Sequence, residues 1–412
     1  MRTITAAEAA EKWGISLRRV QDYCKSGKIQ RAQKFGHNWM IPEDEPRPVD
    51  RRQKDAKQKE RQGRPLIRKS PYLYMTDLYK EEGSADRCVE ELYHHPEAQA
   101  LFSAEIAYSR GEIDKVYEYA NYFLHSHSGF YAVISGGMLL AQCAIWKGDI
   151  NMWNKAKMHL LEAPCKNEID RDIISLALSA TDIAIRDTEN FPEWFARGSF
   201  NNLPKDSHPA ARVYYIKYLM IAAQEIATGK VNLSWINGLG LMRVLPYISE
   251  PMISQMVADK IIIAEAYLRI LTAIAYHQTG DDKQATEHLN KAIRICLADR
   301  LYAPLVEYRR QLGIFLDDRL AAIDANALKT VKEMHKHYHK GWTALHNAVL
   351  RKTVSADLSG REREVARLAA FGLSDGQIAK QLFISESSVK SLIRSAKNKT
   401  GANRRYEFIN FI

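Results

Sequence analysis

The chain has 412 residues, 46% of them hydrophobic, enough length for about two to four domains and enough apolar surface to bury real cores. It contains no uninterrupted run of about 18 apolar residues, and the opening Met1-Arg2-Thr3-Ile4-Thr5 leads into an acidic helical stretch instead of a secretory leader; no membrane span is expected, and the predicted location is the cytoplasm. The net charge of +10 is uneven, with +9 on residues 1–69, +4 on residues 357–412 and −3 on everything between, the distribution expected when two ends meet a polyanion and the middle does not.

Residues 3–25 are predicted to form two short helices. Thr5, with Glu8 three residues on, reads as a capping box. Gly14 ends the first helix, Ser16 is placed to cap the second, and Gly27 ends that one. In Phe35-Gly36-His37-Asn38-Trp39-Met40-Ile41-Pro42 a glycine lies among aromatic and β-branched residues, which predicts a small hairpin or wing with Trp39 in its core. Ser16, Arg18, Arg19 and Gln21 open the second helix and are candidates for a major groove; Lys34, His37 and Asn38 at the hairpin tip are candidates for the DNA backbone or minor groove. The motifs Ile4-Thr5-x-x-Glu8-Ala9-Ala10, Trp13-Gly14-Ile15-Ser16-x-Arg18-Arg19-Val20, Gly27-Lys28-Ile29 and the Phe35–Pro42 wing resemble the MerR-like, excisionase-type winged helix-turn-helix. The resemblance implies a DNA-binding domain over 1–42; a small protein-interaction domain is the alternative.

Residues 43–70 carry almost no apolar side chains, and between Arg47 and Lys69 ten Lys+Arg face three acids. They are predicted to form a basic, solvated linker, with a typical span of roughly 30 Å for a flexible tether of that length.

From about residue 71 to 319 the pattern is helical. Gly-acid turns at Gly111-Glu112, Gly148-Asp149 and Gly280-Asp281 follow small-residue pairs such as Ala104-x-x-Ala107 and Ala141-x-x-Ala144, and Ala285, Leu289 and Ala292 follow the last turn at helical spacing. Small residues let two helices approach across a short turn, so helical hairpins stacked into a solenoid are expected. The pattern, with turns in the mid-thirties apart, resembles tetratricopeptide repeats, with the register lost between about 160 and 255. Residues 320–352 are read as one connecting amphipathic helix, in which Leu320, Ile323, Ala327, Val331, Met334, Tyr338, Trp342, Leu345 and Val349 form a stripe that packs on the solenoid or on a second chain.

The strongest signal lies in residues 358–402, within a predicted C-terminal domain over 353–412. Ser359 caps a helix with acids in its first turn, Gly372 stops it, Ser374 caps a second helix, and a tight turn at Phe383-Ile384-Ser385 leads into a third. The third helix displays Ser387, Ser388, Lys390, Ser391, Arg394, Lys397 and Lys399, short hydroxyls and cations of the kind that base edges and phosphates require. Glu362 and Glu364 are read as cap and internal ion pair. The Ser-x-Arg-Glu-x-Glu-Val opening, the Gly-Leu-Ser turn, Ile-Ala-x-x-Leu, Ile-Ser-x-x-Ser-Val-Lys and the Lys-x-Gly close resemble the LuxR-type helix-turn-helix, a four-helix domain. That resemblance implies that Lys390 and Lys399 anchor phosphates and that Ser388, Val389 and Ser391 face bases. Ser391-Leu392 stands where the family often has a polar-His pair.

The predicted fold is therefore mainly all-α: a winged helix-turn-helix with a small β-hairpin, a helical-repeat solenoid, and a C-terminal LuxR-type helix-turn-helix. The predicted partners are double-stranded DNA, a second copy of the chain, and a small-molecule or protein effector at the central domain, with no membrane and no cofactor. Cys24, Cys88, Cys143, Cys165 and Cys296 are odd in number and form no CxxC pair, so reduced thiols are expected. His335 and His339 share a helix face but lack a carboxylate or cysteine at ligand spacing, so no metal is expected. No GxxxxGK[ST], GxSxG or HExxH is present and no enzyme is expected. The alternative function is a peptide-binding scaffold indifferent to DNA.

Overall fold

Thr5 decides where the first helix starts. In the computed structural model, which describes residues 3–36, 38–48, 79–125, 129–227, 236–351, 358–400, 402 and 404–410, the Thr5 hydroxyl accepts the Glu8 amide at 3.3 Å. The Glu8 carboxylate accepts the Thr5 amide in return at 2.7 Å. The expected capping box at Thr5 is thus present and α1 spans Ala6–Trp13; what differs from two helices over 3–25 is that Thr3–Thr5 is strand β1. Helix α2 (Leu17–Lys25) follows, then the hairpin of β2 (Gln33–Phe35) and β3 (Asn38–Pro42). The antiparallel sheet has the order β1-β3-β2, pairing Ile4 with Ile41 and Lys34 with Trp39. Ala9, Trp13, Val20, Tyr23, Ile29 and Ile41 form the buried core, with Trp39 packed against it. The chain stays on this unit beyond Pro42, because Lys12 donates to the Glu43 carbonyl and Arg47 to the Trp13 carbonyl. His37 and most of the expected linker lie outside the described residues.

The chain divides into two compact units, Met1–Leu66 and Ile67–Ile412. The second is all-helical among its described residues. Helix α3 (Ala85–Glu91) is followed by the hairpins α4 (Pro96–Arg110) with α5 (Ile113–His125) and α6 (Phe130–Lys147) with α7 (Ile150–Leu161). Then come α8 (Glu168–Ala184), α9 (Glu193–Ala196), α10 (His208–Ala227) and α11 (Gly238–Asp259). A third hairpin joins α12 (Ile262–Thr279) to α13 (Asp282–Ala298), and α14 (Ala303–Leu312), α15 (Ile314–Ile323) and α16 (Ala325–Leu350) complete the domain. All three hairpins turn at the glycines read from the sequence, which end α4, α6 and α12 in the left-handed conformation.

One helix is unusually apolar, and one expectation about this region changes. Helix α6 is long and apolar enough to cross a membrane, with a mean hydropathy of 1.2, but 78% of it is buried in the unit, so it is a core helix. Residues 320–350 are not one helix: α15 ends at Ile323, and the Asp324 carboxylate caps α16 by accepting the Asn326 and Ala327 amides. The apolar stripe of α16 is also taken up within the chain. Ala327, Val331, Tyr338, Trp342 and Leu345 are buried, and α16 packs along α6, α14 and α15; the stripe is therefore no free face for a second copy. At the crossing with α6, a Cβ on Gly341 would lie 2.2 Å from the Trp146 carbonyl oxygen, and one on Gly148 would lie 3.1 Å from the Gly341 Cα. Only two glycines let these backbones approach so closely.

Candidate nucleic-acid interface

The C-terminal module is built from two capping boxes and one turn. The Ser359 hydroxyl and Glu362 carboxylate start α17 (Gly360–Ala370), and Ser374 with Gln377 starts α18 (Asp375–Leu382) in the same way. Satisfying the first amides of each helix fixes where it begins. Phe383 then takes the left-handed conformation at φ 53° and is 89% exposed, which turns the chain within three residues into α19 (Glu386–Thr400). The Ser385 hydroxyl accepts the Ser388 amide at 3.1 Å and caps this third helix. A fourth helical segment, the 3₁₀ helix Arg405–Asn410, has Phe408 fully buried and packs on α17.

Burial divides α19 into two faces. Val389, Ile393 and Ala396 recur at helical spacing and are buried. This corrects the placement of Val389 against bases: its 0% exposure makes it a core residue of the module. Ser387, Lys390, Ser391 and Arg394 are exposed on the opposite side; at 100° per residue they and Asn398 fall within about 60° of one line along the helix. Asn398 was missed in the sequence reading, although it stands one helical turn beyond Arg394. The hydroxyls of Ser387 and Ser388 lie 2.7 and 2.8 Å from that of Ser385, so the helix start presents a knot of three hydroxyls.

Lys397 is half-buried, and Lys399 is exposed and reaches toward α17. The Lys399 ammonium donates to Glu362 Oε2 at 2.8 Å, and the Ser395 hydroxyl donates to Glu362 Oε1. Burial would raise the Glu362 carboxyl, but the hydrogen bonds from Lys399, Ser395 and Ser359 outweigh it and hold the group at about 2. Lys399 thus links the first and third helices while staying exposed at the surface. Glu364 pairs with Arg361 at 3.1 Å, as expected of an internal ion pair.

Residues 356–412 match the model of a protein family described as bacterial regulatory proteins, luxR family. That match makes the C-terminal module a LuxR-type helix-turn-helix and the chain a DNA-binding regulator of transcription. No curated protein and no solved structure matches the chain.

The N-terminal candidates sit on a second basic surface. Ser16, Arg18 and Arg19 are exposed at the start of α2, and Gln21 is half-buried. Ser16 makes no side-chain cap bond, contrary to its expected role as a cap, and its hydroxyl faces outward. Lys34 and Asn38 are exposed near the hairpin tip beside Phe35, which is 73% exposed.

The LuxR-type module is docked on the helical domain. Arg367, 7% exposed, donates to the Gln311 carbonyl; Gln381 donates to the His277 carbonyl at 2.6 Å; and His277 Nε2 lies 3.8 Å from Glu364. Burial would lower the His277 pKa, but Asp282 and Glu364 outweigh it and raise it above the usual value. These contacts involve α17 and α18, while the basic line of α19 stays exposed.

Proposed function

We propose that the chain is a sequence-specific transcription regulator in which α19 enters a major groove. Ser387, Ser391, Arg394 and Asn398 would meet base edges, and Lys390 an adjacent phosphate. What carries the reading is the exposed Ser/Lys/Arg line of α19 inside the segment that matches the LuxR-type family. The N-terminal unit is read as a MerR-like winged helix-turn-helix that makes a second DNA contact through Arg18, Arg19 and the wing. Its three-stranded sheet and the paired α1 and α2 support that reading. The central hairpins are read as tetratricopeptide-like repeats that sense an effector. A single LuxR-type module covers a half-site, so the working species is read as a homodimer in the cytoplasm.

The test is duplex binding by the full chain across a salt series. Specific retention with a steep salt slope is expected, and Lys390→Ala is expected to weaken it on every sequence and lower the slope by about one. Equal retention by a chain carrying both Lys390→Ala and Arg394→Ala overturns the reading.

A further inference from the structure

The segment between the two basic ends carries a net −3, yet its interior concentrates cations. A cavity of about 70 Å³ opens where the helical domain meets α17. Arg186, just past the end of α8, and Lys217 of α10 line it, with Arg310 from α14 and Arg363 and Arg367 from the LuxR-type module; Glu307 is its one carboxylate. Glu307 is already engaged, since Tyr108 and Tyr267 reach its Oε1 at 2.9 and 2.8 Å and the Lys217 ammonium lies 3.9 Å from its Oε2.

Three of these arginines, Arg310, Arg363 and Arg367, carry donors without acceptors, although Arg363 and Arg367 each also reach one main-chain carbonyl, of Leu358 and of Gln311. Arg310 Nε and Nη2, Arg363 Nε and Arg367 Nε are buried with no hydrogen-bond acceptor. The neighbouring Arg309 shows the ordinary arrangement: it grips Asp317 with two bonds at 2.9 and 2.7 Å. Arg310 has the Trp342 ring at 5.2 Å instead of a carboxylate. Guanidinium groups do not shed their charge in proteins, and a buried charge without a counter-charge is strongly unfavourable. Burial and Arg310 also press His339 down to about 3 and His335 to about 4, so neither adds charge near neutral pH. A second cavity of about 90 Å³ shares Arg310, Gln311, His335, Arg363 and Arg367; its two carboxylates are already paired, Asp317 with Arg309 and Glu364 with Arg361. The far end is apolar, with Met220, Ile221 and Leu271.

We propose that this cavity binds a small polyanion, with two or more negative charges on phosphate or carboxylate oxygens held by Arg310, Arg363 and Arg367, and that the bound anion ties the DNA-binding module to the helical domain. Two of the three guanidinium groups belong to the module and one to the domain, so the anion bridges both and its occupancy biases their docking. The inference rests on the regulator reading and assigns its effector a chemical class.

The test uses the full chain with inorganic pyrophosphate and with citrate, against sodium chloride at equal ionic strength. Calorimetry and thermal melting are expected to show binding and a raised Tm; pyrophosphate alone would indicate a phosphorylated effector and citrate alone a polycarboxylate. Arg310→Gln is expected to weaken binding at least tenfold, while Lys291→Gln on the exposed surface leaves it unchanged. Arg310→Met is expected to raise the Tm of the unliganded chain and abolish the anion response, because it removes an uncompensated buried charge. This second readout does not depend on a fragile variant. No response to either anion beyond that of sodium chloride overturns the inference, as does full binding by Arg310→Gln. DNA binding is measured on the same sample: if it persists while the anion response is absent, the regulator reading stands and this inference alone fails.

Discussion

The two terminal modules solve the same local problem and differ in what they lean on. Each begins a helix with a capping box, Thr5 with Glu8 at one end and Ser359 with Glu362 at the other. The N-terminal module encloses its own core of Trp13, Val20, Tyr23 and Ile41, and belongs to a unit separate from the rest of the chain. In the C-terminal module, polar side chains face the helical domain: Glu364, Arg367 and Gln381 all make contacts across that boundary. Charged groups buried at a boundary are costly unless their partners stay in place. The comparison therefore teaches that the C-terminal module can be influenced by the state of the helical domain, whereas the N-terminal one carries its fold by itself.

The largest effect expected from this contrast is thermodynamic. Gly341→Ala would place a methyl group 2.2 Å from the Trp146 carbonyl and 2.5 Å from that of Ile145, so α16 must move off α6. The expected loss is about 3 kcal/mol, at the upper end of overpacking effects. Hydrogen exchange of the full chain is expected to show faster opening of both the helical domain and the C-terminal module, with the N-terminal module unchanged. Equal loosening of all three would break the comparison.

Next in size is DNA binding. Lys390→Ala and Arg394→Ala are each expected to weaken specific binding about tenfold, with the salt slope falling by about one for each cation that meets a phosphate. Lys399→Ala is expected to act differently. Its ammonium holds Glu362, so its loss lowers the stability of the module more than it changes the salt slope. The same measurement on Arg18→Ala and Arg19→Ala ranks the two ends; a greater loss from the N-terminal pair reverses the order proposed here.

How far the sequence reached follows the range of the interactions. The capping boxes, the glycine turns and the Phe383 turn are set by residues within about four positions of each other, and all were legible. Val389 lies in the core face that its spacing with Ile393 and Ala396 marks, whereas the family resemblance grouped it with its exposed neighbours Ser388 and Ser391. The break at Asp324 was hidden because apolar spacing continues across it. Arg310, Arg363 and Arg367 could not be read at all as a group. A cation on a helix normally implies a solvated face, and Arg367 is buried only because α17 docks on Gln311, 56 positions away. Nothing in a local pattern reports that contact.

Acid offers a finer separation of the modules. Glu362 sits at about 2 in the fold, below the usual carboxylate value near 4.3. A depressed carboxyl stabilises the fold fully above its unfolded value, and that contribution is lost as pH falls toward the folded value. Stability of the C-terminal module is therefore expected to decline between about pH 4.3 and pH 2. Glu362→Gln should flatten that decline, as followed by exchange of the α17 and α19 amides. A decline of unchanged depth in the variant would show that other carboxylates govern the acid response.

The smallest expected effects lie at the N-terminal end, where two hydroxyls one helix apart separate folding from recognition. The Thr5 hydroxyl caps α1, so Thr5→Ala is expected to destabilise the module by about 1 kcal/mol. Ser16 stands at the equivalent place before α2 but makes no cap bond and is exposed, so Ser16→Ala is expected to leave stability within about 0.5 kcal/mol of its original value. If α2 enters a groove, the same Ser16→Ala change lowers DNA affinity by a few-fold without a change in melting. If instead melting falls and DNA affinity holds, Ser16 is a structural residue, and the N-terminal module loses the side chain that opens its proposed recognition helix.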